Sequence, residues 1–128
     1  MIKDESKFWR KFKEDTPKIS WTRVENSVSL GTPDLLGYNS NGYFFTVELK
    51  VSKSNKVRLS PHQISFHVRH PVNTFILVKT KAACRLYLGE QVKELFACGC
   101  SLEPVACGWK DTRLWLEDLG NDDTLAYP

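Results

Sequence analysis

Residues 43–51 read YFFTVELKV, and this run constrains the chain more than any other. Aromatic and β-branched residues favour a strand here. Strand side chains alternate between faces. Tyr43, Phe45, Val47, Leu49 and Val51 therefore share one face, and Phe44, Thr46, Glu48 and Lys50 share the other. The first face needs cover from a core. The second places a carboxylate and an ammonium one step apart near the strand's C-terminal end. The plain reading is an ion pair on an exposed face, which contributes little. The other is a chemical site.

The flanking sequence builds a mixed layered domain. Residues 4–14 have helical spacing, with Phe8, Trp9 and Phe12 on one stripe and Lys7, Arg10, Lys11 and Lys13 mostly elsewhere. Pro17 ends that pattern. KISWTRVEN alternates imperfectly as a strand, and NSVSLGTP is loop-like. DLLGY is a short strand, followed by a turn at NSNG. SKSNKVRL is a polar, basic loop. SPHQISFHVRH opens a helix with Ser60 as N-cap, Pro61 at the first helical position and Gln63 three residues after the cap. NTFILVKT is a buried-type strand that pairs with CRLYLG. EQVKELFACG is a short helix closed by Gly99. Residues 101–108 are irregular. WKDTRLWLEDLG is a last helix with Trp109, Leu114, Trp115 and Leu119 as candidate buried residues. This order gives an α/β fold, a mixed sheet flanked by helices.

The 128 residues suit one domain, residues 1–128. Four Trp, seven Phe and four Tyr supply its core. A net charge of +3 is compatible with a polyanionic partner. The charged start MIKDESKFWRKFKED carries no apolar signal region, and no stretch reaches membrane-spanning length. The expectation is an intracellular protein without a membrane partner. Cys84, Cys98, Cys100 and Cys107 lack C-x2-C pairs and a nearby His, so free thiols are expected.

Asp34, behind a proline, adds a second acid. The turn at NSNG pairs its strand antiparallel with residues 43–51, which sets Asp34 near Glu48. Neighbouring carboxylates repel unless a cation lies between them, and Mg²⁺ uses one or two carboxylates with water and phosphate. A turn residue is the bland alternative for Asp34. Glu5 falls inside the Phe8, Trp9 and Phe12 stripe; it either frays harmlessly at the terminus or reaches the same cluster.

Glu5, RVEN, GTPD, VELK and LSPHQ, in this order, resemble the PD-(D/E)XK nuclease superfamily. The wording is most similar to its small phage and archaeal branch, the Holliday-junction resolvase-like and VRR-NUC-type nucleases. The likeness covers residues 5–79; residues 80–128 form an extension of open role. It implies a restriction-endonuclease-like fold and an Mg²⁺-dependent endonuclease acting on DNA, at branched DNA such as Holliday junctions, with Mn²⁺ able to substitute. It implies Asp34, Glu48 and the Leu49 carbonyl as metal ligands. Lys50 is implied as the catalytic lysine, Glu5 as the first-helix acid and Gln63 as the helix glutamine, although the capping box alone also explains Gln63. A resolvase cuts opposing strands, so a homodimer is expected; no small-molecule cofactor is. The cell is expected to be a prokaryote or a phage-infected host.

Arg23, Lys53, Lys56 and Arg58 are candidates for phosphate contact, with Lys7, Arg10, Lys11, Lys13, His62, His67, Arg69 and His70 in support. Solvated surface is the alternative for each, and the histidines are expected at the surface. A second function class stays open: an inactive nucleic-acid-binding or structural module on the same fold.

Overall fold

A computed structural model describes residues 3–24 and 31–121. Its elements are α1 (Lys3–Asp15), β1 (Ser20–Arg23), β2 (Leu35–Tyr38), β3 (Phe44–Val51), α2 (Pro61–Arg69), β4 (Thr74–Lys79), β5 (Cys84–Leu88), α3 (Val92–Cys98), β6 (Ala106–Cys107) and α4 (Trp109–Asp118). The strands form one six-stranded sheet in sequence order. Only β3 and β4 run parallel; every other neighbouring pair is antiparallel. This follows from the connections, because a parallel step needs a crossover and α2 provides it.

Each sheet face has its own core. Phe45, Val47 and Leu49 of β3 join Phe8 and Phe12 of α1 and Leu116 of α4. On the other face, Ile76 and Val78 of β4 meet Val92 and Leu95 of α3, with Ile64 of α2 against them. β4 is buried on both sides, and its alternating residues divide between the two clusters. The expected helix–sheet–helix layering is the one found.

Local chemistry explains the element ends. Ser60 Oγ accepts from the Gln63 N–H at 3.1 Å, and Gln63 Oε1 accepts from the Ser60 N–H at 3.0 Å, a complete capping box. In the hairpin turn, Gly42 N–H donates to the Asn39 carbonyl at 3.0 Å. The buried Asn39 side chain also donates to the Leu116 and Leu119 carbonyls, tying the turn to the end of α4.

Three expectations need correction. Residues 101–108 include β6, whose Ala106 and Cys107 pair with Leu86 and Arg85. In α4 the inward face carries Thr112 and Leu116, with Trp109 and Leu119 packed at its ends. Leu114 and Trp115 are 46% and 39% exposed. Positions 109, 112, 116 and 119 repeat at helical spacing, and 114 and 115 fall off that stripe. His67 is not at the surface: its exposure is 0%. It stands four residues after Gln63 on the face of α2 that meets the sheet. The four cysteines are free thiols. No described helix is long and apolar enough to cross a membrane.

Candidate active site

The register of β2 on β3 builds the site. Leu35 pairs with Val47, so Asp34 enters the sheet opposite Glu48. Leu35 points into the α1–α4 core; alternation turns Asp34 to the other face, which carries Glu48 and Lys50. The Asp34 Oδ2 accepts from the Leu49 N–H at 2.8 Å, which holds the carboxylate on β3. Just upstream, Gly31 has φ +83°, and a Cβ there would stand 2.3 Å from the His62 carbonyl oxygen. The GTPD segment therefore passes directly against the start of α2, as only a glycine permits.

Glu48 is 3% exposed. One of its oxygens accepts from Gln63 Nε2 at 3.2 Å; the other, Oε1, is buried with no hydrogen-bond partner. Burial raises the Glu48 pKa from 4.5 to about 9, followed by the nearby Asp34 carboxylate; Lys50 pulls the other way and Glu5 adds to the rise. Lys50 Nζ donates to Gln63 Oε1 at 2.9 Å. Gln63 thus serves two ends at once: it caps α2, and it bridges Glu48 to Lys50. The two readings of this residue from sequence describe one side chain with enough polar capacity for both.

The structure brings Asp34, Glu48, Lys50 and Gln63 together, with Glu5 near enough for its charge to reach Glu48. Glu5 and Lys50 line a cavity of about 440 Å³ together with Lys53, Lys56 and Arg58. Lys53 also lies 3.9 Å from Asp4, an exposed pair. Arg23 stands at the same end of the sheet, where the next N–H, that of Val24, donates to the Asp34 carbonyl at 2.8 Å. Glu25 and Asn26 of RVEN lie outside the described residues. Of the supporting basic residues, Lys11 and Lys13 lie over the rings of Trp109 and Trp9, 5.9 and 5.8 Å from the centroids. A larger depression of about 820 Å³ beside Trp115 contains none of the expected site residues, and Asp111, Glu117 and Asp118 give it the wrong sign for phosphate.

The site holds one residue that the sequence reading assigned elsewhere. His67 Nδ1 pairs with the Gln63 carbonyl at 2.9 Å, directly behind the bridging glutamine, while its buried Nε2 has no partner. Burial lowers its pKa, against a smaller opposing effect of that contact. The i, i+4 spacing from Gln63 was the available signal.

The donor set suits a hard divalent cation. Two carboxylates converge, one keeps a buried oxygen without a partner, and burial, with the charge of Asp34 added, raises its pKa. Among the described residues no group of three or more His, Cys, Asp or Glu side chains is arranged to hold a metal.

No protein-family model matches the chain, and no curated protein matches its sequence. Solved structures do match. A Holliday junction resolvase from the archaeal hyperthermophile Archaeoglobus fulgidus superimposes with a TM-score of 0.55 at 20% identity, over 67% of this chain and 78% of that one. A VRR-NUC domain superimposes with a TM-score of 0.51 at 24% identity, over 75% of this chain and 97% of that one. With its mixed sheet flanked by helices on both faces, the chain has the α/β fold of these two structures.

Proposed function

We propose that the protein is a metal-dependent endonuclease that hydrolyses DNA phosphodiester bonds, with branched DNA such as a four-way junction as substrate. The observation that carries this reading is the meeting of Asp34 and Glu48 beside a lysine, with the buried Glu48 Oε1 lacking a partner. The likeness to a resolvase and a VRR-NUC domain supports it through the fold.

Asp34, Glu48 and the Leu49 carbonyl would hold Mg²⁺ or Mn²⁺. Such an ion supplies an acidified water and neutralises charge at the phosphate. The chain's own residues do the rest. Asp34 is fixed by the Leu49 N–H. Glu48 would have to be deprotonated to serve as a ligand. Lys50, oriented by Gln63, holds a phosphate oxygen or stabilises the attacking hydroxide. Glu5 adds negative charge on the cavity side of the cluster. Arg23, Lys53, Lys56 and Arg58 contact the DNA backbone, which positions the scissile bond without reading sequence. Paired cuts on a junction need two such sites, hence a homodimer.

The test is a cleavage panel with four-way junctions, flaps, duplexes and single strands. Mg²⁺ or Mn²⁺ should support cleavage, with junctions cut fastest. Ca²⁺ should permit binding but poor cleavage, because it takes more ligands at longer distances. Full cleavage in excess chelator would overturn the metal site. Binding of DNA without cleavage of any substrate would assign the fold to an inactive binding module.

A further inference from the structure

Loop 52–60 leaves β3 through a bend at residues 53–55, and its side chains then alternate between exposed and buried over residues 56–60. Val57 and Leu59 are buried in the α2–α3 core, and Lys56 and Arg58 point outward. The loop forms one wall of the candidate active-site cavity. The loop also lines a second cavity of about 700 Å³, whose lining includes Asn55, Lys56, Arg58, Phe96 and Cys98. That size lies within the range of small-molecule pockets. Phe96 projects from α3 and is 56% exposed, and its ring shares the lining of this cavity with the cations Lys56 and Arg58.

The wall between the cavities is firmly built. The Asn55 side chain donates to the Cys98 carbonyl at 3.0 Å, and the Asn55 carbonyl accepts from the Cys100 N–H at 2.7 Å. Gly99 has φ +63°, and a Cβ there would meet the Asn55 carbonyl oxygen at 2.1 Å. A glycine lets loop and helix end close on each other. Ser52 and Ser54 hydroxyls bond within the loop and fix Lys56.

We propose that the Phe96 cavity is a subsite for an unpaired nucleobase of single-stranded nucleic acid: the base stacks on Phe96 while Lys56 and Arg58 hold the adjoining phosphates. An exposed ring flanked by cations is the arrangement that binds single strands, because every base has a stacking face and every linkage a charge. Lys56 and Arg58 line both cavities, so one strand can run from the cavity that Glu5 and Lys50 line, over the loop, to Phe96. The inference rests on the nuclease reading and narrows its substrate to DNA with unpaired nucleotides beside the cut, such as a flap or an opened junction.

The experiment uses the full chain in chelator, so that binding is read without cleavage. The probes are a single-stranded oligodeoxynucleotide containing 2-aminopurine and a blunt duplex of the same length. Wild type should bind the single strand and quench the 2-aminopurine fluorescence. Phe96→Ala should lower the single-strand over duplex preference about tenfold and abolish the quench, on the scale of one lost stack. Phe96→Leu keeps an apolar side chain without a ring and should show the same loss; Phe96→Tyr should retain quench and preference. Quenching and preference unchanged in a folded Phe96→Leu protein would overturn the subsite and leave this surface to solvent or a protein partner. Failure of wild type to bind the single strand would overturn it too. The nuclease reading is judged separately, by Mg²⁺-dependent cleavage in the panel above.

Discussion

A carboxyl group with a pKa near 9 carries its proton at neutral pH, and Glu48 is in that position without a cation. Its value in the unfolded chain is the ordinary 4.5. Between those two values the folded chain binds the proton more tightly, so Glu48 contributes stability that is fully present below the lower value and lost as pH rises through the higher one. Glu48→Gln keeps the shape and removes the titration. In chelator, the Tm of Glu48→Gln minus that of wild type should grow from about pH 5 to about pH 9. A difference that stays flat across this range would mean that the carboxyl is not held protonated. The sequence showed which face Glu48 occupies. It did not show the depth of burial, which depends on how closely α2 covers the strand.

At the scale of elements, α2 separates support from chemistry. Ser60 only caps; Gln63 caps and also bridges Glu48 to Lys50. Ser60→Ala should cost about 1 kcal/mol of stability, the ordinary worth of a cap, and leave Mg²⁺-dependent cleavage nearly unchanged. Gln63→Ala should cost a similar amount of stability and also slow cleavage by about tenfold or more, since Lys50 loses its orientation. Thermal melts and single-turnover rates on the two variants decide this; equal cleavage rates would reduce Gln63 to a cap. The capping box, the hairpin turn and the faces of β3 were legible because each rests on local chemistry. β6 was not, because a two-residue strand has no periodicity and exists only through pairing with β5. In α4 the size of Trp115 and Leu114 suggests burial, but the stripe at 109, 112, 116 and 119 sets the buried face. His67 was misplaced because its residue type outweighed its spacing from Gln63.

For the whole molecule, the sheet orders charge in space. Asp34 immediately precedes β2 and Glu48 lies within β3, and the cations of loop 52–60 follow β3 and share a cavity with Glu5 and Lys50. A polyanion would be held by the outer cations while its reacting phosphate meets the acids through a metal. Affinity for DNA should therefore fall steeply as salt rises, with a log–log slope of about −0.9 per phosphate neutralised on duplex. Salt-independent affinity, measured by titration at several ionic strengths, would argue for another partner. The layered fold could be read from the order of elements. The extension at 80–128 could not be assigned in the same way, yet β5, β6 and α4 complete the sheet and one core. The most direct measurement is the Mg²⁺-dependent cleavage rate of a four-way junction by wild type and by Lys50→Ala, with thermal stability and junction affinity measured on the same preparations. Lys50 lies on the polar face of β3, so its truncation opens no cavity in the α1–α4 core. The expected result is cleavage by wild type, a loss of about 10²–10³-fold in the variant, and nearly unchanged stability and affinity. A folded Lys50→Ala protein that cleaves at the wild-type rate would contradict the catalytic site proposed for this strand.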